Sequence, residues 1–208
     1  MRNYGPPGGR MAFGGMGLTP GVKLLLIANG AIFFLQSLPL GEQLQNLLSF
    51  MPGLAITEFQ VWRFFTYMFL HGSFIHILFN MLGLWMFGTQ IEARWGMRTF
   101  LIYYVVCGLG GAVTYGLFNL AGAGNTQMVG ASGAIYGILL AYGMTFPNSV
   151  ILVMMIFPMK AKYAVVAFGV MALMNSAGGS GDNVAHLAHL GGNGVPNLGA
   201  SIPVRLRC

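Results

Sequence analysis

The sequence is short of charge. Ten basic and four acidic residues among 208 make 7 % of the chain, where a soluble globular domain carries roughly 25 %. A water-facing surface cannot be assembled from so few, which excludes a cytosolic enzyme. Cysteine is nearly absent too: Cys107 lies inside an apolar run and Cys208 at the terminus, so no disulfide scaffold is available. The net charge of +6 comes from isolated residues and not from a basic stripe, which argues against a nucleic-acid surface. What is present instead is 56 % apolar residues with 32 glycines, 16 phenylalanines and 15 methionines. The solvent that accepts such a chain is a bilayer.

Six apolar stretches approach the ~20 residues that cross hydrocarbon. They run from Val22 to Leu38, Phe74 to Ile91, Thr99 to Leu120, Val129 to Phe146 and Tyr163 to Ala177, with a sixth beginning near Val184. The expected fold is therefore all-α and polytopic. Residues 1–21 are Gly/Pro-rich and read as a flexible segment, and no small-residue cleavage site follows the first apolar run, which is expected to be a retained anchor. Positive residues favour the cytoplasmic side. With six spans, Arg2, Arg10, Lys23, Arg94, Arg98, Lys160, Lys162, Arg205 and Arg207 share a side and only Arg63 lies opposite. Both termini are thus expected in the cytoplasm. The long first loop, Pro39 to Ser73, is then outside, and its aromatic residues Phe59, Trp62, Phe64, Phe65, Tyr67 and Phe69 suit a membrane interface. The Pro147 to Lys162 connection is apolar but too short to span, and reads as re-entrant or interfacial.

Polar residues inside apolar spans are costly unless they have a partner or a task. Span two carries His76 and Asn80, one helical turn apart on one face. Span four carries Ser132 near its start, and span six carries His186 and His189. These three spans run in the same direction from the outer face, so Ser132, His76, Asn80 and His189 fall at similar depth. A serine with an imidazole and an amide donor beside it is the set needed for nucleophilic hydrolysis: the imidazole takes the hydroxyl proton and the donors stabilise an oxyanion. Of the acidic residues only Asp182, in a loop, lies near that level, so the arrangement would be a dyad. Each signal has an ordinary alternative. A serine in an apolar helix also serves as a packing residue or bonds its own helix. Histidines in spans also relay protons, and Gly133 with Gly137 is also a plain helix-packing pattern. No metal is implied, because the four histidines lack a carboxylate or thiolate partner at zinc-ligand spacing.

The residues resemble those of the rhomboid intramembrane serine proteases over most of the span from about residue 20 to residue 192. Gly130-Ala131-Ser132-Gly133 is similar to the family's Gly-x-Ser-Gly, His76 to Asn80 to its His-x-x-x-Asn, and Ala188-His189-Leu190-Gly191-Gly192 to its Ala-His-x-Gly-Gly. Trp62-Arg63, and Glu92 with Arg94, are further similarities. The resemblance implies a six-helix bundle over residues 22–192, with Ser132 as nucleophile and His189, rather than His186, as general base. It implies an oxyanion hole of His76, Asn80 and the Ser132 backbone N–H, with Gly130 and Gly133 beside the serine. Tyr136 would pack against the catalytic imidazole and Gly192 would let helix six approach helix four. His71 would hold the first loop; Arg63, the lone outer basic residue, is read as pinning that loop through bonds to backbone carbonyls, with a snorkelling interfacial arginine as the ordinary alternative. The implied function is a serine endopeptidase without cofactor that cleaves single-span or other membrane-protein substrates near the non-cytoplasmic face, in a multi-pass protein of a bacterial-type cell membrane. The alternative is a proteolytically inactive relative that binds membrane proteins; a proton-conducting transporter using the histidines is a remoter one. From Asn193 to Cys208 the chain departs from the pattern, since Pro196, Pro203, Asn193 and Asn197 suit neither helix nor hydrocarbon. The sixth helix is expected to be atypical after Gly192 and residues 193–208 to form a separate segment, as a truncated or frame-altered C-terminus would.

Overall fold

A computed structural model describes residues 17–119, 127–153 and 157–167. The expected sixth span, with Asp182, His186, His189 and Gly192, lies outside the described residues, as do most of the N-terminal segment and all of residues 193–208.

The first helix, α1 (Pro20–Gln36), opens with proline at its first turn, where a missing N–H costs nothing. Thr19 makes no side-chain cap of its own. The cap comes from about seventy residues away. The buried carboxylate of Glu92 accepts from Thr19 Oγ1 at 2.6 Å, Gly21 N–H at 2.8 Å and Val22 N–H at 2.8 Å. An anion at a helix N-terminus meets both the unpaired donors and the positive end of the helix dipole. A Cβ at Gly21 would lie 3.0 Å from that carboxylate, so the residue type there is set by close approach.

The first loop condenses into short helices α2 (Gly41–Leu48), α3 (Pro52–Thr57) and α4 (Arg63–Thr66), the last running into a 3₁₀ turn at Tyr67–Phe69. Phe59, Trp62 and Phe65 are exposed, as suits an interfacial loop, whereas Tyr67 is buried. Next, α5 (Phe74–Gly83) continues through a π-helical turn at Leu84–Gly88 into α6 (Thr89–Trp95). A glycine in extended-to-helix transition, Gly96 at φ +82°, separates this from α7 (Met97–Phe118). The continuous Phe74–Trp95 and Met97–Phe118 segments, 22 residues each, are long and apolar enough to cross a membrane, and α1 and α8 (Ser132–Thr145) are shorter apolar helices. Phe34, Phe74 and Leu117, on three different helices, are each about two-thirds exposed. Large apolar side chains pointing outward on helices of this kind suit hydrocarbon and not water.

The core lies where α7 and α8 pack together beneath the first loop. Phe50 from that loop stacks on Phe64 at 4.8 Å and meets Tyr67 and Tyr115 at about 6 Å. The Tyr67 hydroxyl donates to the Gly108 carbonyl at 2.7 Å and that of Tyr103 to the Gly137 carbonyl at 2.9 Å, so two buried phenols tie the loop to α7 and α7 to α8.

Directly after α8 the chain leaves the helical conformation. An antiparallel ribbon forms from β1 (Val150–Val153) and β2 (Phe157–Lys160), with Val150 paired to Lys160 and Ile151 to Met159. The segment expected to be re-entrant or interfacial turns back on itself as a hairpin, so the fold is mostly, not wholly, helical. A hairpin returns the chain to the side it left, and helix resumes at 161. Gly143 of α8 gives that helix room, since a Cβ there would run into Val165.

Candidate active site

Ser132 is the first residue of α8 and is half-buried. At ~1.5 Å per residue α8 is about 21 Å long, less than the ~30 Å of a hydrocarbon core. A helix of that length that crossed a bilayer would draw its flanking backbone toward membrane depth, where peptide groups need protein partners. Upstream of Ser132 they have them. Phe50 and Met128 exchange N–H to carbonyl bonds at 3.0 and 2.9 Å, and Gly130 N–H donates to the Tyr67 carbonyl at 2.9 Å. The first loop therefore holds the strand-like approach to the serine. The first intrahelical acceptor is the Ala131 carbonyl, which takes the Ile135 N–H. The N–H groups of Ser132 and Gly133 consequently belong to the open end of the helix, where negative charge is favoured.

Gly130 has φ +117°, a conformation that disfavours any side chain. It also faces an imidazole: a Cβ there would sit 2.7 Å from both Cε1 and Nε2 of His76, and 3.8 Å from Ser132 Oγ. The His76 ring edge and the serine hydroxyl thus approach one point, and the Gly-x-Ser spacing has a physical cause. His76 comes from the first turn of α5, which Ser73 caps by accepting the His76 N–H at 3.1 Å. Asn80, one turn further along α5, is buried, and its amide nitrogen has no partner among the described residues. A donor left open in a buried place is costly. Asn29 in α1 is a contrast, since its amide nitrogen bonds the Leu25 carbonyl at 2.8 Å within its own helix.

The surrounding residues fix the first loop. Arg63 is buried; its Nε donates to Gln60 Oε1 at 2.6 Å and its Nη1 to the Ser49 carbonyl at 2.7 Å, the carbonyl contact expected of it. Burial pushes the guanidinium pKa down, and the nearby Glu58 charge opposes this. Trp62 Nε1 reaches the Leu47 carbonyl at 3.1 Å and Thr66 Oγ1 the Leu48 carbonyl at 2.7 Å. His71 is buried beside His76, with ring centroids 5.1 Å apart at 69°. Burial first, and then the neighbouring His76, push its pKa down to about 4, with the Phe69 carbonyl opposing. Burial raises the Tyr67 phenol. Tyr136 lies one turn beyond Ser132 and is half-buried, and Gly133 is buried in the α8 interface.

The structure thus brings His76, Gly130 and Ser132 together and sets Asn80 a turn from His76. His189, His186 and Gly192 lie outside the described residues. Two contributors are not apparent from motif spacing. Ser73, three residues before His76, carries the ordinary N-cap signature. Gln36, at the end of α1, bonds the His71 backbone in both directions.

Taken together, these features define a mostly helical protein with, among the described residues, two helices long and apolar enough to cross a membrane and a serine at the open N-terminus of a shorter apolar helix. A family model described as the Rhomboid domain matches residues 58–198, more than half of the chain, and the chain belongs to the rhomboid family. It is 33 % identical to RHOMBOID-like protein 1 of Arabidopsis thaliana over 140 residues, 67 % of this chain and 34 % of that one. RHOMBOID-like protein 2 of the same plant is 33 % identical over 137 residues, 66 % of this chain and 40 % of that one. Rhomboid protease GlpG of Salmonella choleraesuis (strain SC-B67) is 31 % identical over 120 residues, 58 % of this chain and 41 % of that one. The chain spans about a third to two-fifths of the length of these relatives.

Proposed function

We propose that the chain is an intramembrane serine endopeptidase that cleaves membrane-anchored proteins, with Ser132 as nucleophile and His189 as general base. The observation that carries the reading is the convergence of the His76 ring edge and the Ser132 hydroxyl on the Gly130 backbone, at a helix N-terminus. Ser132 Oγ attacks a substrate carbonyl carbon while His189 takes its proton. Charge that develops on the carbonyl oxygen is met by the Ser132 N–H, His76 and the open amide of Asn80, and the helix dipole adds to them. His189 then gives its proton to the leaving amine, and water releases the acyl group by the same steps. A helical peptide bond is shielded by its own hydrogen bonds, so substrates with small, helix-destabilising residues near the membrane surface are favoured. Tyr136 supports the imidazole and Gly192 the approach of the sixth helix.

In this reading residues 22–192 form a six-span bundle, residues 1–21 a cytoplasmic segment and residues 193–208 a distinct tail. The N-terminus is cytoplasmic, the site opens to the other face, and the membrane is of bacterial type. The hairpin supports the orientation, since it keeps Lys160 and Lys162 at the end of α8 opposite Ser132. A second reading, a proteolytically inactive member that binds membrane proteins, is favoured by the prolines and asparagines that follow Gly192. Reconstituted chain with a tagged single-span substrate separates the two. Cleavage that Ser132→Ala abolishes supports the protease; cleavage unchanged by that substitution sinks it.

A further inference from the structure

We propose that His71, clamped by the side chain of Gln36, is a positioning residue that holds the His76 imidazole against Gly130 in the orientation from which it donates to the oxyanion. The inference rests on the reading of His76 as an oxyanion donor. Gln36 is the last residue of α1 and turns both ends of its amide to one residue. Its Oε1 accepts the His71 N–H at 3.0 Å and its Nε2 donates to the His71 carbonyl at 3.3 Å. Two bonds to the backbone of one residue fix its place and its direction together.

The ring that this clamp presents is only 3 % exposed, and its nitrogens make no hydrogen bond of good geometry among the described residues, although the Phe69 carbonyl lies near enough to favour its protonated form. A buried polar ring so weakly partnered is costly, and the Gln36 bonds hold the His71 backbone without fixing the ring. What the ring does meet is His76, tilted 69° at 5.1 Å between centroids, within the edge-to-face range that planar rings prefer. His76 turns Cε1 and Nε2 to the space that a side chain at Gly130 would fill, and its own N–H is taken by Ser73. A half-buried imidazole on a first helical turn has several rotamers open to it. Contact with the His71 ring, and the space beside Gly130 that no side chain fills, narrow that choice. The narrowness matters because an oxyanion donor works only within hydrogen-bond reach of the developing charge. A misplacement of about 1 Å at a reacting centre can cost on the order of 100-fold.

The test is cleavage kinetics of the full chain in proteoliposomes with a tagged single-span substrate, with thermal melting of each variant alongside. His71→Ala is expected to lower kcat by about tenfold or more with KM little changed. His71→Phe restores most of that kcat, because the planar ring and not its nitrogens makes the contact, and it melts no lower than the parent. In a His76→Ala background, His71→Ala adds no further loss. Wild-type kcat in His71→Ala, or losses that multiply independently in the double variant, would overturn the proposal. Should His71→Ala not fold, Gln36→Leu takes its place, with a smaller kcat loss that likewise vanishes in the His76→Ala background; a loss that persists there overturns the proposal. If His76→Ala alone keeps wild-type kcat, the failure lies in the assignment of His76 as an oxyanion donor.

Discussion

The imidazole of His76 occupies the space that any side chain at position 130 would need, and Gly130 occupies the backbone conformation that only glycine adopts freely. Steric room and φ thus make the same demand at one residue. Gly130→Ala is expected to displace the His76 ring, abolish cleavage and destabilise the fold by about 1–3 kcal/mol from backbone strain. Activity and melting of purified Gly130→Ala check both. A variant with normal cleavage would separate Gly130 from the site.

Glu92 caps α1 from a different helix, so its loss should be felt at the start of the chain. Glu92→Ala leaves the Gly21 and Val22 N–H groups and the Thr19 hydroxyl without their acceptor. A loss of about 2–4 kcal/mol is expected, given ~1.5–3 kcal/mol for a hydrogen bond to a charged group. Hydrogen exchange would locate it: faster exchange at residues 20–25 is the expected signature, and exchange unchanged there contradicts the capping role.

Arg63 joins two parts of the first loop through two separate nitrogens. Lysine has one, so Arg63→Lys keeps the charge but not both bonds. Protease accessibility of the loop at residues 39–60 is expected to rise in Arg63→Lys nearly as far as in Arg63→Ala. Full protection in Arg63→Lys would show that charge alone suffices.

The stability of the chain should depend on pH through His71. Its folded pKa of about 4 lies below the ordinary imidazole value of 6.5, so the folded state resists a proton that the unfolded state takes up. The contribution is complete above pH 6.5, falls as the pH drops from there to about 4, and levels off below. It amounts to about 3 kcal/mol at most. Melting temperature measured from pH 7 to pH 4 should fall less steeply for His71→Phe than for the parent. Parallel curves would contradict the assignment.

The spans were the most legible part of the sequence. The apolar runs read as Val22–Leu38 and Phe74–Ile91 correspond to the helices Pro20–Gln36 and Phe74–Trp95, the second of them long and apolar enough to cross a membrane. The hairpin was hidden. Val150 is exposed and Ile151 buried, as alternate positions of a strand can be, but the run Val150–Val153 is apolar throughout and the period is lost in the composition. In the site, Ser132 and His76 stood out as polar residues in apolar runs and Gly130 through the rhomboid resemblance, whereas the Gln36 clamp left no such sign. It joins residues 35 apart through a side chain at a helix end, where a polar residue is ordinary. The Glu92 cap is similar in kind, since local sequence around Thr19 gives no sign of an acceptor so far along the chain.

The central claim is that the Ser132 hydroxyl is activated. The most direct measurement is labelling of the folded, membrane-reconstituted chain with a fluorophosphonate, followed by peptide mass spectrometry. An activated serine forms a covalent adduct and an ordinary helix serine does not. The account predicts an adduct on Ser132 that disappears in Ser132→Ala and falls sharply in His189→Ala. A folded chain that takes no label at Ser132 would contradict it.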